Sequence, residues 1–133
     1  MYKKNTVLLF LLIMGIKGLF AETLIIRVEN AEPGKGHLMV GLFNNENSFP
    51  DDYYAGQRIP VTDRLMIVTF TDLPEGMYAV SVYQDNNGNE QLDKNIFGIP
   101  KEKYGFSNNA NRPDYNKCLF NFKGNMTITV RLG

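Results

Sequence analysis

The sequence predicts an all-β fold, an immunoglobulin-like or transthyretin-like antiparallel β-sandwich of about seven strands. Three observations carry that expectation. Apolar and polar residues alternate with period two in several short segments. Gly, Pro and Asn turns separate those segments. No apolar stripe with helical spacing runs along the chain.

The elements follow in chain order. Leu24, Ile26 and Val28 alternate with Ile25, Arg27 and Glu29, a strand with a polar outer side. Pro33-Gly34-Lys35-Gly36 turns the chain into a second strand with Leu38, Val40 and Leu42 on one face. Met66, Val68 and Phe70 mark a third strand. Thr71 to Gly76 then reads as a turn, with Pro74 fixing one dihedral and Gly76 relaxing another. Tyr78, Val80 and Val82 form the fourth strand. Cys118, Phe120 and Phe122 form another, and Lys123-Gly124-Asn125 leads into the last, where Met126, Ile128, Val130 and Leu132 alternate with Thr127, Thr129 and Arg131. Residues 44–60 and 85–116 lack a strand pattern. In the first, Phe49, Tyr53 and Tyr54 are expected to form a short helical turn that plugs the core. Loops this long are usually functional or carry small elements of their own.

Composition narrows the function classes. A chain of 133 residues suggests one domain. Its 14 Lys+Arg balance 14 Asp+Glu, which excludes a basic nucleic-acid binder. One Cys excludes an internal disulfide, and one His excludes a multi-histidine metal site. Cys118 lies beside Leu119, Phe120 and Phe122 and is expected to be buried and inert.

Residues 1–21 read as a secretory signal peptide. Lys3 and Lys4 form a positive start, Val7 to Ile16 is apolar apart from Gly15, and Ala21 offers a small residue for cleavage. The run is shorter than the roughly 20 residues that span a bilayer. Lys17 and Leu19 depart from the pattern, and a retained anchor is the alternative. Residues 22–133 are then the β-sandwich domain. They are expected in the periplasm or at the cell surface, without membrane insertion.

The loop after the fourth strand carries the main chemical signal. Asp85, Asn87, Asn89 and Asp93 place side-chain oxygens at positions 1, 3, 5 and 9 of a calcium loop, and Gln91 would add its carbonyl at position 7. Glu90 stands where that loop has Gly, and Ile96 where it has a bidentate Glu. Asn95 or Glu102 could substitute if the chain folds back. With two carboxylates in the set, a dissociation constant of about 10⁻⁴–10⁻³ M is expected. Asn87-Gly88 is also a preferred hairpin pair, so a metal-free, amide-rich turn is the competing reading.

These residues also carry a resemblance. Phe70, the Leu73-Pro74-x-Gly76-x-Tyr78-Ala79-Val80 segment and Asp85-x-Asn87-x-Asn89 begin it. Leu92-Asp93, Phe97-Gly98-Ile99-Pro100, Glu102 and Tyr104-Gly105-Phe106-Ser107-Asn108-Asn109 continue it. The chain resembles the bacterial secreted family known as domain of unknown function 2141. The resemblance implies an exported β-sandwich and no particular reaction. Many relatives have His where this chain has Gln84, so no essential His ligand or base is implied.

Tyr104, Phe106, Ser107, Asn108 and Asn109 combine aromatic and amide groups, a mixture suited to a sugar or peptide surface. The same residues could instead pin the loop over one end of the sandwich. Gly98 and Gly105 are expected to permit unusual backbone angles. No catalytic residue is assigned. Asp51-Asp52 or Asp85 with Asp93 could form a hydrolytic carboxylate pair, but turn carboxylates are usually solvated or capping, and His37 stands at a strand end. The expected function is a non-catalytic envelope module that binds a protein or glycan partner, with a calcium-stabilised loop. A purely structural, metal-free envelope protein is the first alternative, and a carboxylate-dependent hydrolase the second.

Overall fold

Eight strands form two sheets in a computed structural model that describes residues 21–98 and 100–133. The signal segment, apart from Ala21, lies outside the described residues, as does Ile99. The strands are β1 (Ala21–Glu29), β2 (His37–Phe43), β3 (Ala55–Pro60), β4 (Met66–Pro74), β5 (Gly76–Asp85), β6 (Tyr104–Phe106), β7 (Phe120–Phe122) and β8 (Met126–Arg131). A 3-10 turn over Ser107–Asn109 follows β6, and a short α-helix, α1 (Tyr115–Cys118), precedes β7.

The first sheet has the order β4-β1-β8. β1 pairs antiparallel with β4 and parallel with β8. Its alternation is the one the sequence shows. Leu24, Ile26 and Val28 are fully buried, and opposite them stand Phe70, Val68 and Met66 on one side and Met126, Ile128 and Val130 on the other. The expected turn at Thr71 to Gly76 is confined to its end, since β4 runs on to Pro74, and β5 starts at Gly76, whose φ of 155° is the positive one expected there. The register between β1 and β4 shifts around Thr23, and Asp72 takes φ 53°. This bulge resets the alternation, so that Leu73 rather than Asp72 faces inward.

The second sheet has the order β3-β2-β5-β6, and β7 joins β5 on the same edge as β6. Leu38, Val40 and Leu42 of β2 and Tyr78, Val80 and Val82 of β5 face the first sheet and complete the core. β3 and β6 carry no alternation that the sequence analysis detects. Cys118 belongs to α1 rather than to a strand.

Hydrogen bonds link the sheets at both edges. At one, the Gln57 side chain of β3 donates to the Thr69 carbonyl of β4 at 2.7 Å. At the other, the chain beyond β8 runs between β1 and β6. Leu132 N–H donates to Glu29, and Gly133 N–H to Tyr104, at 3.0 and 3.1 Å. Gly105 sits under this seam without a positive φ, contrary to the expected unusual angle. A Cβ there would stand 2.5 Å from the Arg131 carbonyl oxygen, so close backbone approach is what requires glycine.

A second hydrophobic cluster lies on the outer side of the second sheet. Phe43, Ala79, Phe106 and Cys118 are buried there, and Phe49 and Tyr115 pack onto them. Phe49 packs edge-on against Phe43 and Phe106, with ring centroids 5.0 and 6.0 Å away. The aromatic plug expected from residues 44–60 therefore exists, but Phe49 fills this outer cluster. Tyr53 and Tyr54 remain more than half exposed.

Gly105→Ala is expected to lower unfolding free energy by about 1–3 kcal/mol, because the seam must open to admit a methyl group. Urea denaturation of the variant and the parent chain checks this, and equal midpoints would contradict it.

Candidate functional site

The segment between β5 and β6 is organised by two buried carboxylates. Asp85, the last residue of β5, has no exposed surface. Its oxygens accept the Gly88 and Glu90 amides at 3.1 and 2.8 Å. Glu102 folds back as the sequence allows. Its two oxygens accept the Asn86 amide at 2.6 Å and the Asp93 amide at 3.0 Å, joining the two ends of the loop. Such charge-assisted bonds are stronger than neutral ones, and they supply the partners that buried carboxylates need.

The predicted ligand residues converge above this base. Asn87 and Asn89 donate their side-chain amides to Asp93 Oδ2 and Oδ1 at 2.5 and 2.7 Å. Asn87 Oδ1 accepts the Asn89 amide, and Asn89 Oδ1 accepts the Gln91 amide. Glu90, at the position reserved for Gly in a calcium loop, takes φ 61°. Ile96, at the position of the bidentate Glu, is 95% exposed at the loop tip beside Phe97. Among the described residues, no group of three His, Cys, Asp or Glu side chains is arranged to hold a metal. A cation would therefore need amide oxygens. The Asn87 and Asn89 side-chain oxygens each already accept a backbone amide, and their NH₂ groups are turned to the Asp93 carboxylate. Asp85 and Glu102 already serve backbone amides, so the loop is closed by its own hydrogen bonds.

The second predicted set divides. Tyr104 and Phe106 lie on the outer face of the second sheet. Ser107 is buried, which removes it from any accessible surface. Its hydroxyl accepts the Val80 amide at 2.9 Å and donates to the Cys118 carbonyl. Asn108, at φ 59°, donates its side-chain amide to the Lys117 and Leu119 carbonyls. Asn109 Oδ1 accepts the Arg131 amide. These three residues pin the segment, which is the alternative that the sequence left open. Gln84, where many relatives were expected to carry His, is buried. It accepts from the Glu32 amide and donates to the Glu32 and Lys35 carbonyls, holding the β1–β2 turn.

A concavity lies on the outer face of the second sheet, next to the outer aromatic cluster. It is a groove of about 950 Å³. Its floor is set by strand register. Gly56, Gly41, Ser81 and Phe106 form one row across β3, β2, β5 and β6. Arg58, Met39, Tyr83 and Tyr104 form the next. Loop residues Glu90, Gln91 and Leu92 line one wall, and Pro50, Asp51 and Tyr53 another. Glu90 lies 3.9 Å from Arg58, so the loop built on Asp85 meets the groove directly. Burial, reinforced by the nearby charges of Asp85, Glu102 and Glu90, pushes the Tyr83 phenol up to about 12. Burial likewise pushes the Cys118 thiol up to about 11, as expected for an inert thiol.

Sequence reading missed Gly41, Gly56, Arg58 and Tyr83 as groove residues. The available signal was the polar and small side of β2 and β5, opposite their apolar side. Asp51 and Asp52 are exposed in a turn, and His37 is half-buried opposite Asp85 and Pro60 in the strand register.

A family model described as "Uncharacterized protein conserved in bacteria (DUF2141)" matches residues 26–129. No curated protein and no solved structure gives a significant match.

The raised pKa values of Cys118 and Tyr83 mean that the unfolded chain loses these protons first, near its ordinary values of 9 and 10. Their contribution to stability is complete below pH 9 and is lost as pH rises through about 11 and 12. Urea midpoints are therefore expected to fall above pH 9, and Cys118→Ala should flatten the first part of that fall. A fall of the same shape in Cys118→Ala would contradict the assignment to the thiol.

Proposed function

The chain belongs to the DUF2141 family of bacterial proteins, and from that premise we propose that it is an exported, non-catalytic β-sandwich module of the envelope that binds a protein or glycan partner in the groove. The observation that carries this reading is the groove itself. Ligand sites are concave, line apolar surface with a few placed polar groups, and occupy about 300–1,000 Å³. This groove, at about 950 Å³, combines Met39, Leu92 and Phe106 with Ser81, Tyr83 and Arg58. Export rests on the sequence of residues 1–21, with its basic start and short apolar run.

Calcium enters this reading as a brace for the groove wall. Asn87, Asn89 and Asp93 would hold it through side-chain oxygens, with the Gln91 carbonyl beside them. A hard cation would replace the amide-to-carboxylate bonds that now close the loop. Its effect on the groove would pass through Glu90 and Gln91, which lie within the same loop and line the wall.

Thermal melts of the purified protein in EDTA, calcium and magnesium test the brace. At about ten times its dissociation constant a ligand adds about 1.4 kcal/mol, so millimolar calcium is expected to raise the midpoint by several degrees. Asp93→Asn should abolish the rise. It is a cleaner variant than Asp85→Ala, which would strand two loop amides. An unchanged midpoint up to about 10 mM calcium would overturn the brace and favour the metal-free reading. For export, N-terminal sequencing of protein from the periplasmic or culture fraction is expected to begin at Glu22. A chain found only in the cytoplasm and beginning at Met1 would contradict it.

A further inference from the structure

We propose that the groove takes a neutral carbohydrate chain, with the exposed ring of Tyr53 as its stacking platform. The inference rests on the groove being the ligand site and names the class of ligand. Tyr53 is 58% exposed, yet its ring is held in place from below. A Cβ added to Gly56 would stand 2.7, 2.9 and 2.9 Å from three neighbouring ring carbons, so one ring face rests on the bare backbone of β3. At Gly41, on the neighbouring strand, a Cβ would collide with the Phe43 ring and come within 3.5 Å of the Tyr53 Cβ. Gly56 thus makes the space in which the Tyr53 ring lies down, Gly41 makes room for the Phe43 ring beside it, and the exposed Tyr53 lines the groove.

An aromatic face presents negative charge density. The C–H face of a pyranose ring is apolar and slightly positive, so the two stack, while the sugar hydroxyls at the ring edge need donors and acceptors. The groove supplies them. Tyr83 keeps its proton far above neutral pH and serves as a hydroxyl group. Arg58 and Glu90 face each other at 3.9 Å, both exposed, offering donor and acceptor together. The charges along the lining are mixed, with Arg58, Lys94 and Arg112 against Asp51 and Glu90, which does not suit a strongly charged polymer.

Strand-like peptide recognition is disfavoured by the geometry. An extended peptide binds by adding to a free sheet edge. The groove floor is instead the outer face of the sheet, and its central strands β2 and β5 have both backbone edges occupied by neighbouring strands. The volume is at the upper end of the small-molecule range, room for several linked sugar rings.

The test is a nuclear magnetic resonance titration of the isotope-labelled protein with chitohexaose, cellohexaose and laminarihexaose, alongside a tryptic digest of serum albumin as a peptide probe. At least one hexasaccharide is expected to shift the amides of Gly41, Gly56 and Tyr83. Tyr53→Ala, a surface change, should weaken that binding by about tenfold, and Tyr53→Phe should preserve it. If only the peptides shift these amides, the carbohydrate assignment falls while the groove remains the ligand site. If no probe shifts them, the assignment falls together with the groove reading; if a hexasaccharide shifts them as much in Tyr53→Ala, the Tyr53 platform falls while the groove remains the ligand site.

Discussion

The second edge of β5 must be paired along its length, but no single strand does it. β7 pairs with Gly76 to Tyr78, and β6 pairs with Ser81 to Tyr83. The Val80 amide falls between them, buried, where an unpaired donor would cost about 1–3 kcal/mol. The Ser107 hydroxyl fills this gap and passes the bond on to the Cys118 carbonyl. One side chain therefore fixes where β6 ends, where α1 sits and how β7 returns to the sheet. The outer aromatic cluster is assembled around the same point, since Phe106 precedes Ser107 and Cys118 ends α1. That cluster covers part of the sheet face beside the groove.

The loop obeys a second constraint of the same kind. Its carboxylates divide into two groups by what they serve. Asp85 and Glu102 are buried and hold backbone amides. Asp93 receives side-chain amides that can exchange partners. The first pair sets the path of the chain, and the second set closes the loop from outside. This is why the spacing of a calcium loop and the hydrogen bonds of a metal-free turn occur together.

The sandwich was legible because burial on one face forces alternation, and β1, β2, β5 and β8 place an apolar residue toward the core at every second position. β3 was hidden because Gly56, Gln57, Arg58 and Pro60 leave only Ala55 and Ile59 to face the core. β6 is three residues long, with glycine at its centre, too short for any period to show. The Asp/Asn loop was visible as a pattern of residue types. Its anchor Glu102 was visible only as a residue that could fold back. The groove was the least legible part. Gly41, Gly56 and Ser81 are separated by tens of residues and become one row only through strand register. Ser107 looked like a surface group because a serine in an amide-rich stretch carries no sign that its hydroxyl completes a sheet edge.

The parallel pairing of β1 with β8 also dictates when the molecule can fold. Sheet one is β4-β1-β8, so the edge of β1 opposite β4 has no partner until β8 has been synthesised. Leu24, Ile26 and Val28 would meanwhile have only one neighbouring strand to shelter them. Contacts between segments so distant in sequence are slow to form, because the intervening chain must be closed into a loop first. The sandwich therefore reaches its final shape only once β8 has joined β1.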